Sequence, residues 1–170
     1  WENGGQYFVK GQVRIKKYDP QTRQILPDPA FSDAPRSQIN LAFEPSGATW
    51  LLCREESDLG KSLLLRYAPG NNTKAEASHP FEAKLTSFDP MFRTRDGRIW
   101  IAAHDGRLVH FDPVAERFDY FEIGHLFGEK PKSLSAIAIA EDADGMIWVG
   151  TQLGLVKGRP KRPFSAGQAK

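Results

Sequence analysis

The chain has 170 residues, of which 40% are hydrophobic, so it contains enough apolar material for a core. Its formal net charge of +2 gives no electrostatic basis for binding nucleic acid or for direct contact with an anionic membrane. The single cysteine, Cys53, excludes an intrachain disulfide and a multi-cysteine metal site.

Tryptophan marks an internal repeat. The four tryptophans lie 49, 50 and 48 residues apart, at Trp1, Trp50, Trp100 and Trp148. A period of about 50 residues is typical of architectures that repeat one supersecondary unit. We therefore predict three repeats and part of a fourth, which begin near these residues.

A tight turn precedes three of the tryptophans. The pattern is Gly-x-x-Trp, and its glycines are Gly47, Gly97 and Gly145. In two of these turns an aspartate precedes the glycine, and Asp-Gly between apolar runs indicates a hairpin because glycine tolerates a positive φ. A second glycine follows each tryptophan and opens another apolar run, which ends in three repeats at an aromatic-x-Pro turn, at Tyr18, Tyr67 and Phe111.

Each repeat therefore contains four short strand candidates. They are clearest in the third repeat, at Met91–Thr94, Ile99–Ala103, Leu108–Phe111 and Phe118–Phe121, and the fourth repeat adds Ala136–Glu141 and Ile147–Gly150. Several alternate between apolar and polar residues, as half-buried strands do, and no segment shows sustained helical periodicity. We predict an all-β fold of β-propeller blades, each a four-stranded antiparallel sheet, with little or no helix. The recurrent tryptophan would pack in the seam between blades.

The predicted propeller occupies residues 1–158, and residues 159–170 are predicted to form a flexible basic tail. Because the chain starts on a predicted mid-blade strand and ends soon after Gly154, we expect about three to three and a half blades of a partial ring. Such a piece would leave apolar blade faces uncovered. We therefore expect either a fragment that further blades complete or a protomer that associates with copies of itself.

The segment Ala138–Val156 resembles the two-component regulator propeller repeat. That pattern is an apolar run, then Glu-Asp-x-x-Gly-x-Ile-Trp-Ile-Gly-Thr and Gly-Leu, and the matching residues are Glu141, Asp142, Gly145, Ile147, Trp148, Gly150, Thr151, Gly154 and Leu155. The preceding repeat continues the pattern but carries Ala102-Ala103 in place of Gly-Thr, and the first two repeats match more loosely. The resemblance implies a β-propeller. It also implies a periplasmic or otherwise extracytoplasmic sensor domain of a bacterial signalling protein, with any kinase or cyclase output outside this chain.

The expected ligand is a small molecule such as a carbohydrate, and no cofactor is expected. In a blade, the loop between the second and third strands lies at the same rim as the connection between blades, and in other propellers this rim often surrounds a ligand. The candidates on such loops are Arg54, Glu55, Glu56, His104, Asp105 and Gln152. Those on the connections are Arg36, Ser37, Lys132 and Ser133, which pair a cation with a hydroxyl that suits sugar or carboxylate binding.

The chain shows no nucleophile elbow, zinc-protease motif or phosphate-binding loop, so we do not expect an enzyme. We interpret Asp96, Glu141, Asp142 and Asp144 as acceptors of backbone hydrogen bonds in the blade hairpins. One alternative is a propeller enzyme of the streptogramin-lyase or lactonase kind, in which His104 and carboxylates from other blades would hold a metal. The other alternative is a protein-interaction scaffold.

Overall fold

A computed structural model describes residues 1–3, 6–10, 14–35, 37–55, 58, 60–86, 89–127, 134 and 136–159, the side chains of residues 3, 10 and 27–29 excepted. The chain divides into two compact units, Trp1–Glu82 and Ala83–Lys170. Within the described residues the one helical element is a 3-10 turn at Gly124–Phe127. None of the helical structure described is long and apolar enough to cross a membrane.

The first unit contains two four-stranded antiparallel sheets, each formed in chain order. The first sheet consists of β1 (Glu2–Asn3), β2 (Gln6–Lys10), β3 (Ile15–Asp19) and β4 (Gln24–Pro29). The second sheet consists of β5 (Gln38–Phe43), β6 (Thr49–Arg54), β7 (Lys61–Tyr67) and β8 (Ala77–Glu82).

The second unit contains a four-stranded and a three-stranded sheet of the same kind. The third sheet consists of β9 (Met91–Arg93), β10 (Ile99–Ala102), β11 (Arg107–Asp112) and β12 (Arg117–Glu122). The fourth sheet consists of β13 (Ala136–Glu141), β14 (Ile147–Thr151) and β15 (Gly154–Gly158). The predicted fold class, all-β with four-stranded antiparallel propeller sheets, is confirmed.

Aromatic side chains fill the core between the two sheets of the first unit. Phe8 of β2 belongs to the same buried cluster as Leu51 of β6. Its ring stacks on Phe31 with 5.7 Å between centroids, and Phe31 meets Tyr67 edge-on at 4.8 Å. Buried Gln38 links the two sheets, because its Oε1 accepts the Ile15 N–H at 2.7 Å and its amide donates to the Phe31 carbonyl. The buried polar group is thus paired on both sides, as a core position requires.

The core of the second unit lies between its two sheets and includes Trp100 of β10. The Trp100 side chain is 6% exposed and clusters with Ala136, Ile147 and Val149 of the fourth sheet. Trp100 therefore lies in the seam between the third and fourth sheets. Burying a ring of this size removes much apolar area from water, and burial of apolar area is the main favourable contribution to stacking two sheets.

The first repeat does not place its tryptophan in this way. Trp1 precedes β1 and is 41% exposed. Phe8 takes the repeat position instead, because it pairs with Lys17 on the third strand of its sheet as Trp50 pairs with Arg66. The prediction that Trp1 takes the same blade position as the other tryptophans is therefore wrong, because its backbone instead pairs with Phe8 next to β1. The predicted mid-blade start is also wrong, since β1 pairs with β2 and makes this a four-stranded sheet.

The length of the connection between the second and third strands explains why the sequence pattern misplaces Trp1. Phe8 and Trp100 lie 10 and 11 residues before the aromatic residue near the end of the third strand of their sheets, whereas Trp50 lies 17 residues before Tyr67. The spacing is larger in the second sheet because its strands β6 and β7 and the connection between them are longer. Trp1 has the same 17-residue spacing to Tyr18, so the sequence alone suggested an equivalence that strand pairing does not support.

The hairpin glycine of the second sheet offers a test of the turn argument. Gly47 has φ of +89°, and an added Cβ would meet only Pro69 at an ordinary 3.5 Å, so backbone strain alone opposes a side chain. We expect Gly47→Ala to lower the free energy of unfolding by about 1–2 kcal/mol. Gly158→Ala is the control, because Gly158 has no atom near its Cβ position and no unusual φ. Urea unfolding that shows equal stabilities for the two variants would refute the argument.

Candidate functional site

A cleft of about 590 Å³ lies between the third and fourth sheets, within the second unit. Its floor is formed by side chains of the strands, namely Trp100, His110, Phe121 and Ile147. Its rim is formed by charged and polar residues of the hairpins and outer strand, namely Thr94, Arg95, Asp96, Arg98, Asp112, Arg117, Asp119, Glu141 and Arg159. A cleft of this volume is large enough for a small organic ligand.

The floor of the cleft is aromatic. The ring of Trp100 lies 4.6 Å from that of His110 and 5.6 Å from that of Phe121, between centroids. These side chains come from three adjacent strands, because Trp100 pairs with His110 across β10 and β11 and Leu108 pairs with Phe121 across β11 and β12. The alternation of side chains along each strand thus directs them to one face of the sheet.

His110 connects this floor to a carboxylate. Its Nδ1 lies 3.4 Å from Asp119 Oδ2, and Arg117 contacts the other oxygen of Asp119 at 3.1 Å. Burial lowers the pKa of His110, although the hydrogen bond with Asp119 opposes that effect. The imidazole is therefore mainly neutral at pH 7, with one nitrogen able to donate a hydrogen bond and the other able to accept one.

The rim of the cleft carries paired charges. Arg95 lies 3.3 Å from Glu141 of the neighbouring sheet, and Arg98 contacts both Asp96 and Asp112, the latter at 3.6 Å. Among the described residues, the rim contains four arginines and four carboxylates. Its formal charges therefore cancel, and it presents many fixed hydrogen-bond donors and acceptors rather than one dominant charge.

Two repeats hold their tryptophan with a carboxylate at the start of the hairpin. The Trp50 indole N–H donates to Glu44 Oε1 at 2.8 Å, and Arg66 donates to the same oxygen at 2.8 Å. Likewise the Trp148 indole N–H donates to Asp142 Oδ2 at 2.8 Å. That oxygen lies 3.1 Å from Lys157 Nζ. We call this arrangement of indole, carboxylate and third-strand cation the indole clamp.

The indole clamp lowers the pKa of both carboxyl groups. Hydrogen bonds from Arg66 are the main cause of the lowered pKa of Glu44, which is about 2. The hydrogen bond from the Trp148 indole is the main cause for Asp142, whose pKa also falls well below its usual range. Both carboxylates are thus ionised at neutral pH, as charge-assisted acceptors must be.

The third repeat lacks the carboxylate of the clamp. Thr94 stands where Glu44 and Asp142 stand, since each of the three donates its backbone N–H across the same hairpin turn. The Thr94 hydroxyl bonds to Asp96 and to the Arg98 carbonyl. Within the described ranges the Trp100 indole N–H has no hydrogen-bond acceptor. Thr94 and Trp100 both line the cleft.

Among the described residues, none of the rim candidates predicted from the sequence lines this cleft. Arg36, Glu56, Lys132 and Ser133 lie outside the described residues. Among the others, the Arg54 N–H donates to the Ser37 carbonyl at 2.9 Å. Asp105 holds Arg107 at 2.6 Å, next to His104 on the β10–β11 loop, while Gln152 is exposed between β14 and β15. A ligand role for them stays a prediction.

The sequence interpretation missed the cleft because the cleft lies at the hairpin end of the sheets, opposite the β10–β11 loop. Arg98, His110, Arg117 and Asp119 lie in or directly beside one sheet, and strand pairing within it brings together residues that are separated in the sequence. Glu141, interpreted as a turn residue, also accepts the Arg95 backbone N–H from the neighbouring sheet at 2.9 Å. Across the described residues, no three His, Cys, Asp or Glu side chains are grouped so as to hold a metal ion.

A comparison with protein families matches residues 131–152 to the family described as two component regulator propeller. Residues 131–152 are therefore similar to one repeat of that family. The matched segment includes β13, the hairpin turn and all of β14, with Trp148. By sequence, no curated protein matches the chain.

Three solved structures share the fold of this chain. The extracellular domain of BT4673 from B. thetaiotaomicron, described as a one component system, is 18% identical with a TM-score of 0.63 over 99% of this chain. YCF48 bound to D1 peptide is 19% identical (TM-score 0.57, 96% of this chain). PorZ, a surface component of the type-IX secretion system of Porphyromonas gingivalis, is 15% identical (TM-score 0.52, 92% of this chain). The chain spans only 24%, 48% and 25% of their respective lengths.

Proposed function

We propose that this chain is part of the extracytoplasmic sensing region of a bacterial signalling regulator and binds a small molecule such as a carbohydrate in the cleft of the second unit. The observation that carries the proposal is the aromatic floor of Trp100, His110 and Phe121 beneath a rim of paired charges. The propeller repeat at residues 131–152 supports the regulator class. The extracellular neighbour from B. thetaiotaomicron supports the location.

The chemistry of the cleft suits a ligand with both apolar and hydroxyl-bearing faces. An aromatic floor offers a flat apolar surface on which a sugar ring can lie, and most small-molecule sites combine such a surface with a few oriented polar groups. The Arg–carboxylate pairs supply donors and acceptors whose positions are already fixed by ion pairing. Binding therefore costs little further side-chain ordering.

The proposal is tested by titrating the protein with a panel of bacterial and plant oligosaccharides and following thermal unfolding. A ligand that binds the folded state should raise the melting temperature, and the increase should grow with the logarithm of the ligand concentration above Kd. Arg117 is 65% exposed and sits on the rim, so we expect Arg117→Ala to weaken binding about tenfold with less than about 1 kcal/mol loss of stability.

Lys61→Ala is the matched control, because Lys61 is also an exposed cation in an ion pair but belongs to the first unit. It should leave binding unchanged. A panel in which no sugar shifts the unfolding transition would contradict the carbohydrate assignment. Equal weakening by both substitutions would contradict the assignment of the site to the cleft.

A further inference from the structure

The third repeat is an indole clamp without its central carboxylate. In the second and fourth repeats the indole N–H and a third-strand cation hold one carboxylate between them. In the third repeat the indole remains, the third-strand position is His110, and Thr94 supplies no carboxylate. A buried or half-buried indole N–H normally finds an acceptor, so a vacant one at the edge of a cleft is a place for a ligand atom.

We propose that the cleft binds a carboxylate-bearing small molecule, and that the ligand carboxylate accepts the hydrogen bond of the Trp100 indole N–H. The ligand would fill the place that Glu44 and Asp142 fill in the neighbouring repeats. This inference rests on the proposed function of the cleft as a ligand site. The inference adds to that function the chemical group of the ligand that the cleft binds, a carboxylate.

The charges around Trp100 are compatible with a bound ligand carboxylate. Asp96, the carboxylate nearest in sequence, already accepts hydrogen bonds from the Thr94 hydroxyl and from Arg98, and it accepts none from the indole. The rim charges cancel, so an incoming anion meets no net repulsion. Arg117 binds Asp119 through Nε and one terminal nitrogen, is 65% exposed and lines the same cleft as Trp100. A guanidinium and an indole N–H are together a charge-assisted site for a carboxylate.

The test compares three probes on the wild-type protein by isothermal titration calorimetry. D-glucuronate and D-glucose share one ring and differ by a carboxylate, and succinate carries carboxylates without a sugar. We expect glucuronate to bind at least about tenfold more tightly than glucose, because a hydrogen bond to a charged acceptor is stronger than one to a hydroxyl. Binding of succinate as well would identify a carboxylate source other than a sugar and would still support the proposal.

Two substitutions at Thr94 separate charge from size. Thr94→Glu restores the carboxylate of the clamp, so it should occupy the indole N–H and weaken glucuronate binding by at least about tenfold, while the protein stays folded. Thr94→Gln is equal in size but uncharged and should weaken binding less. Trp148→Phe is the control outside the cleft, and it should leave binding unchanged because Asp142 already occupies that indole.

The outcomes distinguish this inference from the proposed function. If glucose binds as tightly as glucuronate and Arg117→Ala weakens both, the carboxylate proposal fails and the carbohydrate site stands. If no probe binds and no oligosaccharide of the panel binds, both fail. If Thr94→Glu and Thr94→Gln weaken glucuronate binding equally, that result would also overturn the carboxylate assignment.

Discussion

Replacing Trp100 by alanine is expected to lower the free energy of unfolding by about 3–5 kcal/mol. The side chain is 6% exposed and packs against aliphatic residues of the fourth sheet, so its removal leaves a cavity in the seam between two sheets. The loss includes the transfer free energy of the ring and the cost of that cavity. Urea unfolding followed by far-ultraviolet circular dichroism measures the change.

Trp1→Ala provides the comparison within the same chain. Trp1 is 41% exposed and lies outside the repeat position, so its replacement should change stability by no more than about 0.5 kcal/mol. A sequence interpretation that treats all four tryptophans as equivalent expects equal losses. Equal losses of unfolding free energy for Trp1→Ala and Trp100→Ala would therefore refute the structural distinction between the two residues.

Replacing Glu44 by glutamine is expected to lower the free energy of unfolding by about 2–3 kcal/mol at pH 6. Glu44 is the carboxylate of the first indole clamp and accepts hydrogen bonds from Trp50, from Ser46 and from two nitrogens of Arg66. A glutamine side chain has the same size but no charge and one acceptor oxygen, so part of the Arg66 guanidinium loses its partner. Glu82→Gln, on the exposed end of β8, should change stability by less than about 0.5 kcal/mol.

The cost of Glu44→Gln should depend on pH. The pKa of Glu44 falls from 4.5 to about 2 in the folded protein, chiefly through the hydrogen bonds from Arg66. A lowered pKa means that the ionised form stabilises the fold fully above about pH 4.5, and that this contribution is lost as the pH falls towards about 2. The stability difference between wild type and variant should therefore shrink across this range. A constant difference from pH 6 to pH 2.5 would show that the charge does not contribute.

The strands and the fold class could be predicted because local chemistry determines them. The hairpin glycines need positive φ, which Gly47, Gly97 and Gly145 have. The alternation of apolar residues placed β10 and β11 within a residue of their observed bounds. Periodicity and turn chemistry act over a few residues, so both remain visible in the sequence.

The first repeat and the cleft could not be predicted because they depend on pairing and packing. The equivalence of Phe8 and Trp50 follows from their partners on the third strand, and spacing along the chain conceals it. The cleft brings Arg95 of one sheet to Glu141 of the next, a contact between residues 46 positions apart. One signal was available in the sequence, since aligning the hairpins places Thr94 where the neighbouring repeats have an acidic residue.

The state of the indole N–H groups tests the central claim most directly, namely that the third repeat keeps its tryptophan in the seam but leaves the N–H to a ligand. In ¹⁵N-tryptophan-labelled protein without ligand, the indole resonances are assigned with Trp→Phe variants and their exchange with solvent is measured. We expect slow exchange for Trp50 and Trp148, faster exchange for Trp100, and slow exchange for Trp100 once Thr94→Glu restores the carboxylate. Protection of the Trp100 N–H equal to that of Trp50 in the wild-type protein would contradict the account.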